Sequence, residues 1–409
     1  MRDSSRALAK WGFSDGVRMV REAGLMPADV PAIDGANGTI VHIAGRQFIN
    51  FRCVDFLGWQ HDDDVVAHFT DAARSYGLAN GGSRAQAISR PLREIERQVC
   101  EIYGKESAIT FASGMLATVG FVHAMTSKIQ VTTTITADFG DVIFLMDRAC
   151  HWSMWKAVEK MQPGRQLFSF GHNDVERLRT LLARHQGKRV IVGFQSVYSG
   201  DGSVAPIGAI TDLCAEYDAV SYVDDANGFM VYDHETGPYA NEFRKLSQAT
   251  FVMTSFTKSI GMVGGAVAGP ADAAKVIEYF SGTSVFTAAL QPPTASTIAY
   301  IIGRSREDRQ RVDDYLRMVA WFREQLISVG CDLNDNPSYI ISIHVGDERV
   351  AEVVRCELQE HGYLVSVFRY PAAERGKALL RIIPNLRHSK EHMEGLADTL
   401  KLLKGKYQF

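Results

Sequence analysis

From Ser107 onward the chain repeats one pattern, a short apolar run followed by an amphipathic stretch. The runs are SAITFA, DVIFLMD, RVIVGFQS, AVSYVDD, TFVMTS and GGAVAG; DVERLRTLLARH and IGAITDLCAEYD are two of the amphipathic stretches. Short apolar runs rich in β-branched residues read as strands buried on both faces. Helices between such strands make the crossovers of a parallel sheet and wrap both of its sides. Ligands of such sheets bind beyond the carboxyl ends of the strands. Polar and glycine residues collect at those ends: Ser113-Gly114, His151, Ser196 to Asp201, Asp224 to Gly228, and Ser255 to Gly261. They are expected to converge on one site.

The flanks read differently. TIVHIAGRQFINF alternates apolar and polar residues around Ala44-Gly45 and predicts a hairpin. Ser89 is placed to cap a helix, Pro91 suits its first turn, and Leu92, Ile95, Val99 and Ile102 share one face. After about Ala295 come a long helix (DDYLRMVAWFREQLISVG), the alternating SYIISIHV and a further helix near residues 349–361. The expected fold is α/β, with a mostly parallel sheet in a large domain (61–294) and a smaller α+β domain (295–409). Residues 1–60 form an N-terminal segment that completes the smaller one.

Composition serves mainly to exclude. A net charge of −3 over 409 residues carries no electrostatic footprint for nucleic acid or an anionic membrane. No apolar run approaches the ~18 residues of a membrane span, and MRDSSRALAKWGF lacks the apolar core of a secretory signal. The six cysteines lie far apart without a C-x-x-C pair, so neither a zinc site nor a disulfide framework is expected. They read as reduced, mostly core residues of a cytoplasmic protein.

Lys258 follows the strand TFVMT in Ser255-Phe256-Thr257-Lys258-Ser259-Ile260-Gly261. There it can bind phosphate, form an imine once burial lowers its pKa, or simply be a solvated lysine. Asp224 ends the strand AVSYV, where a charge has little reason to sit without a partner. Its carboxylate can pair with the protonated ring nitrogen of pyridoxal 5'-phosphate; it can also be a loop aspartate or a metal ligand, although no nearby cluster completes a metal set. Ser113-Gly114-Met115 can offer backbone N–H groups and a hydroxyl to a phosphate at a helix start. His151 can stack on a ring and Ser199 can hydrogen-bond a phenolic oxygen. Each reading is weak alone, and their order on successive strands makes the set specific.

With these residues in place, the chain resembles the α-oxoamine synthase family of fold-type-I pyridoxal-phosphate enzymes. FINFRCVDFLGW, YGLANGGSR with PLREIE, TFASGMLAT, MDRACHWS, QSVYSGDGSVAP, YVDDANG, TSFTKSIGMVGG, FTAALQPP and RYPAAERGKALLRI carry the likeness, which runs from about Ile40 to Leu400. HWSMWKA and VSVFRYPA are similar to the autoinducer (α-aminoketone) synthase branch. The resemblance implies Lys258 as Schiff-base lysine and catalytic base, Asp224 as partner of the ring nitrogen, His151 stacked on the ring and Ser199 on its phenolic oxygen. It implies Ser113, Gly114, Met115 and Ser255 around the phosphate, with Thr287 reaching it from the second subunit of a homodimer. Arg381 in LLRIIP matches the arginine that grips the amino-acid carboxylate, a task suited to a planar two-pronged donor.

Three departures qualify the likeness. Where the family reads Asp-Glu/Asp-Ala-His, this chain has Asp224-Asp225-Ala226-Asn227. Asn227 can keep a hydrogen bond to the cofactor but cannot exchange a proton near neutral pH. Ser255 replaces the usual threonine, and Arg90 stands where members commonly carry a histidine. The leading expectation is condensation of an amino acid with an acyl thioester such as acyl-CoA. A second is β- or γ-elimination, or transfer to another acceptor, with S-adenosylmethionine as a possible donor. A non-catalytic regulatory subunit is the third, and the joint retention of Lys258, Asp224, His151 and Arg381 argues against it.

Overall fold

The computed structural model describes residues 8–22, 30–232, 235, 237–335, 338–370 and 372–409, so Pro371 of the RYPAAERG segment lies outside the description. The six apolar runs and one strand not among them, β3, form a seven-stranded sheet: β1 (Ser107–Phe111), β2 (Val142–Asp147), β3 (Leu167–Phe170), β4 (Arg189–Gln195), β5 (Val220–Asp224), β6 (Phe251–Ser255) and β7 (Gly265–Gly269). The spatial order is β1-β7-β6-β5-β4-β2-β3. Neighbours from β6 to β3 pair in parallel, and only β7 runs antiparallel to both its neighbours. The expected α/β fold with a mostly parallel sheet is what the chain adopts.

Nearly every residue of β4 to β7 is buried, because helices cover both faces. On one face Phe121, Tyr222, Phe251 and Met253 pack together; on the other Val223 and Val252 join the main core with Ile95, Val99 and Leu246. This division follows from the two-residue period of a strand, and it decides which of two adjacent aspartates faces which side.

The hairpin forms as Ile40–Ile43 and Arg46–Asn50 around Ala44-Gly45. Tyr363 and Leu364 pair in parallel with Ile49 and Asn50, which ties the N-terminal hairpin to the C-terminal part of the chain. Nearby, Ile341–Gly346, Ala378–Ile382 and Ser366–Phe368 form a small antiparallel sheet backed by the helices Glu348–Glu360 and Lys390–Tyr407. SYIISIHV enters this sheet at Ile341, and its last part, from His344, comes to the surface. Ser338 through Ile343 are all buried, and the Ser342 hydroxyl donates to the Gly200 carbonyl at 2.7 Å. The helix expected from Ser89 spans Arg90–Tyr103, but Ser89 makes no side-chain cap and its buried hydroxyl has no partner among the described residues. Cys53, Cys150, Cys214 and Cys331 are core residues as expected, whereas Cys356 is exposed. No helix among the described residues is long and apolar enough to cross a membrane.

Candidate active site

The carboxyl ends of β4, β5 and β6 lie abreast, with Gln195, Asp224 and Met253 in register. Strand alternation puts Asp224 on the side of Tyr222, whose hydroxyl donates to Thr118 on the helix Gly114–Thr126. Asp225 points the other way, accepting from Tyr103 at 2.6 Å and Ser196 at 2.5 Å. Burial pushes the Asp225 carboxyl up to about 7 despite these donors. Asp225 therefore props the strand end, and Asp224 is the one presented to the site.

Asp224 is 2% exposed and accepts one hydrogen bond, from the Ala226 N–H at 3.0 Å. Burial raises its pKa, while the charges of His151 and Lys258 oppose that rise. A carboxylate so enclosed needs a cation beside it. Lys258 comes from the turn after β6, which is anchored by buried Phe256 and Ile260. The turn closes where the Gly261 N–H donates to the Lys258 carbonyl at 3.1 Å. Gly261 has φ +72°, and a Cβ there would meet Asp55 Oδ1 at 2.4 Å, so no other residue fits. Burial first, then the charge of Arg381, lowers the Lys258 amine to about 8, with Asp224 pulling the other way. No hydrogen bond or ion pair to this amine is present among the described residues.

His151 precedes the short helix Trp152–Ala157. The Ser153 N–H, which can only donate, points to its Nδ1 at 3.2 Å, so the proton of the neutral ring resides on Nε2. The ring borders the open cleft, and burial by its surroundings depresses its pKa; Asp224 raises it, Lys258 and Arg381 lower it. These four groups thus share one electrostatic neighbourhood.

Ser113 is extended and its Oγ accepts from Leu116 N at 3.2 Å, capping Gly114–Thr126. Its own hydroxyl proton and the Gly114 and Met115 N–H groups stay available at a helix start, where an anion is favoured. A Cβ on Gly114 would lie 2.9 Å from Ser255 Cβ, which shows how closely this helix start approaches β6. Ser255 shares a hydrogen bond with Thr257 at 2.9 Å, so a third hydroxyl joins the cup. Met115 brings its backbone only, since its side chain is half exposed. Thr287 stands apart: it sits in the loop beside Phe286, which is 90% exposed, and no hydrogen bond joins it to the cup.

Ser199 is largely buried, but its hydroxyl is not enclosed and makes no hydrogen bond among the described residues, and its carbonyl accepts from Arg381 Nη1 at 2.8 Å. The Arg381 guanidinium faces no carboxylate, lies 4.5 Å from the Phe368 ring, and keeps its Nε buried without an acceptor. Burial lowers its pKa to about 10. Asn227 is buried with both amide ends engaged: Nδ2 donates to the Val197 carbonyl at 3.2 Å and Oδ1 accepts from Tyr339 at 3.1 Å. Arg90, at the start of its helix, is exposed. Tyr339, Phe368 and Asp55 receive no role from the sequence, and only the folded chain brings them here; Thr257, inside the Ser255–Gly261 cluster, carries a local signal although the sequence assigns it no role.

These residues fit pyridoxal 5'-phosphate. A capped helix start and three hydroxyls suit its phosphate, buried Asp224 suits a cationic ring nitrogen, and an unpaired Lys258 amine suits its aldehyde. Arg381, with Nη2 unbonded and no carboxylate partner among the described residues, suits a substrate anion.

Comparison with known proteins agrees. The family described as "Aminotransferase class I and II" matches residues 47–400. The chain is 29% identical to 8-amino-7-oxononanoate synthase of Alcanivorax borkumensis, over 90% of this chain and 92% of that one. It is 27% identical to 5-aminolevulinate synthase 2 of Cereibacter sphaeroides, over 85% and 83%. A solved serine palmitoyltransferase of Sphingomonas wittichii superimposes with a TM-score of 0.83 at 25% identity, over 98% of both chains. The chain belongs to the aminotransferase class I and II family, as an enzyme of the α-oxoamine synthase type that depends on pyridoxal 5'-phosphate.

Proposed function

We propose that this enzyme condenses an amino acid with an acyl thioester of the acyl-CoA kind to give an α-aminoketone. A C–C bond forms between the amino acid's α-carbon and the thioester carbonyl carbon, the thiol leaves, and the carboxylate is lost as carbon dioxide. When bound, pyridoxal 5'-phosphate supplies an electron sink for the charge at the α-carbon. The single observation that carries the reading is the Lys258 amine, lowered to about 8 beside Asp224 and Arg381. Near neutral pH a useful fraction of it is unprotonated, so Nζ can take the α-proton.

In this reading Arg381 holds the substrate carboxylate through Nη2, which has no partner among the described residues and, unlike Nε, is not enclosed. Asp224 offers its buried carboxylate to the ring nitrogen, His151 covers the ring as a neutral imidazole, and Ser199 donates to the phenolic oxygen. Ser113, Gly114, Met115, Ser255 and Thr257 hold the phosphate. Thr287 acts on the phosphate of the partner subunit, in a cytoplasmic homodimer. Asn227 favours a second reading, elimination or transfer to another acceptor, because its amide cannot supply a proton at the incoming carbonyl. S-adenosylmethionine as donor belongs to that second reading, and the names of the relatives lend it no support.

The test starts with cofactor loading. Wild-type protein is expected to turn yellow with pyridoxal 5'-phosphate and to retain the cofactor covalently after borohydride, whereas Lys258→Ala retains none. Loaded enzyme is then given pooled amino acids with acyl-CoAs. Free thiol released only when an amino acid is present, with a ketone product by mass spectrometry, supports the condensation. Amino-acid consumption without thiol release moves the assignment to the second reading.

A further inference from the structure

We propose that Tyr339 is a positioning residue that, together with the Val197 carbonyl, holds Asn227 in one orientation, so that Asn227 presents a fixed hydrogen-bond donor to the cofactor in place of a proton-exchanging group. The proposal rests on the pyridoxal-phosphate reading above.

The orientation of an amide is settled by its partners. The Val197 carbonyl, 3.2 Å from one end of Asn227, can only accept, so that end is the nitrogen. The other end is the oxygen, and the Tyr339 hydroxyl 3.1 Å away must donate to it. A flipped amide would set carbonyl against carbonyl and leave two buried groups unsatisfied, since Asn227 is 3% exposed and Tyr339 fully enclosed. One amide hydrogen on Nδ2 remains for the site.

Tyr339 is itself held from several sides. Its backbone N–H donates to the Tyr232 hydroxyl at 3.0 Å, and its ring packs against Phe56 and Tyr315 with centroids 4.2 Å and 6.0 Å away. Burial keeps the phenol protonated far above neutral pH, so it stays a donor. The positive charge of Arg381 acts on the same phenol, so the carboxylate-binding arginine and the Tyr339–Asn227 pair share one environment.

A donor held against the cofactor's phenolic oxygen favours its anionic form, and so helps set the pH at which the visible absorbance of the loaded protein changes. Wild type, Tyr339→Phe, Asn227→Ala and the double variant are loaded with pyridoxal 5'-phosphate and titrated by absorbance. Each single variant is expected to raise the midpoint by about half a unit to one unit, and the double variant no more than Asn227→Ala alone. An unchanged midpoint in Tyr339→Phe, or a shift of full size in the Asn227→Ala background, overturns the proposal. Should Tyr339→Phe not fold, Tyr232→Phe serves instead: it removes the hydroxyl that holds the Tyr339 backbone N–H at 3.0 Å, and a midpoint that does not rise is equally fatal. A wild-type protein that never turns yellow removes the cofactor reading and the proposal with it.

Discussion

Arg381 donates Nη1–H to the Ser199 backbone carbonyl at 2.8 Å, joining the small sheet to the loop after β4. Phe368 stands against the guanidinium at 4.5 Å, and Nε has no acceptor. Nη1 is thus fixed by protein, Nε is enclosed, and Nη2, without a partner among the described residues, is the end open to an anion. Arg381→Lys keeps the charge but loses the planar fork. Charge-assisted hydrogen bonds contribute about 1.5–3 kcal/mol, so the amino-acid KM is expected to rise roughly 10- to 100-fold, with a smaller change in kcat. Steady-state kinetics on cofactor-saturated protein give the answer, and an unchanged KM would falsify the clamp.

Gly114 faces a different constraint. A Cβ there would come 2.9 Å from Ser255 Cβ and 3.1 Å from its Oγ, so Gly114→Ala must push the helix start away from β6. Overpacking of this kind costs about 1–3 kcal/mol, and here it spoils the geometry of the phosphate cup. The Kd for pyridoxal 5'-phosphate is expected to rise about 10-fold or more, a loss of about 1.4 kcal/mol. Absorbance titration measures it. Equal affinity in the variant would remove this helix start from the site.

What the sequence makes legible follows the range of the interactions. β4, β5 and β6 are uninterrupted apolar runs because both faces are covered, and periodicity records that directly. β3 escapes notice: it is a four-residue edge strand with Ser169 exposed, too short and mixed to show a pattern. Ser89 misleads because a serine before a helix predicts a cap, yet its hydroxyl is buried away from the free N–H groups. Lys258, Asp224 and His151 are readable as strand-end polar residues, whereas Arg381, inside the strand Ala378–Ile382, is pointed to only by the family resemblance. Asp224, Lys258 and Arg381 all act on the charge of His151. Tyr339 is not, since its partner Asn227 lies 112 residues earlier and no local pattern records a contact of that length.

The buried ion cluster of Arg84 is a support rather than a site. Arg84 Nη2 meets Glu96 at 2.8 Å and Glu278 at 3.1 Å, while Nη1 donates to the Thr110 carbonyl and hydroxyl at 3.0 Å. These contacts tie the helices Arg90–Tyr103 and Ala271–Phe280 to β1, just before Ser113. Arg84→Met removes the buried cation shared by Glu96 and Glu278, which keep only the more exposed Arg93 at 3.4 Å and Lys275 at 2.8 Å, so the loss is expected to be at most about 3–5 kcal/mol. Adding Glu96→Gln and Glu278→Gln is expected to recover part of that loss. Denaturant midpoints of the single and triple variants decide it, and a neutral Arg84→Met would show that water reaches the cluster.

His172 links two loops of the site through charge. Its Nδ1 lies 3.4 Å from Asp147, and its Nε2 lies 2.7 Å from Ser203 Oγ and 3.5 Å from Asp201. Asp147 is fully buried at the end of β2, four residues before His151; Asp201 sits in the turn that carries Ser199. Burial alone would push His172 down, but the two carboxylates outweigh it and raise the imidazole to about 9. The folded state therefore binds more protons than the unfolded chain between pH 6.5, the ordinary value, and about 9. Stability from this group is fully present below that window and is lost as pH rises through it. With the ring about one-third open to solvent, the loss is about 1–2 kcal/mol. Melting temperature is expected to fall more steeply between pH 6.5 and 9.5 in wild type than in His172→Gln, with cofactor affinity following the same course. Parallel melting curves for the two proteins would show that His172 is not the group that titrates.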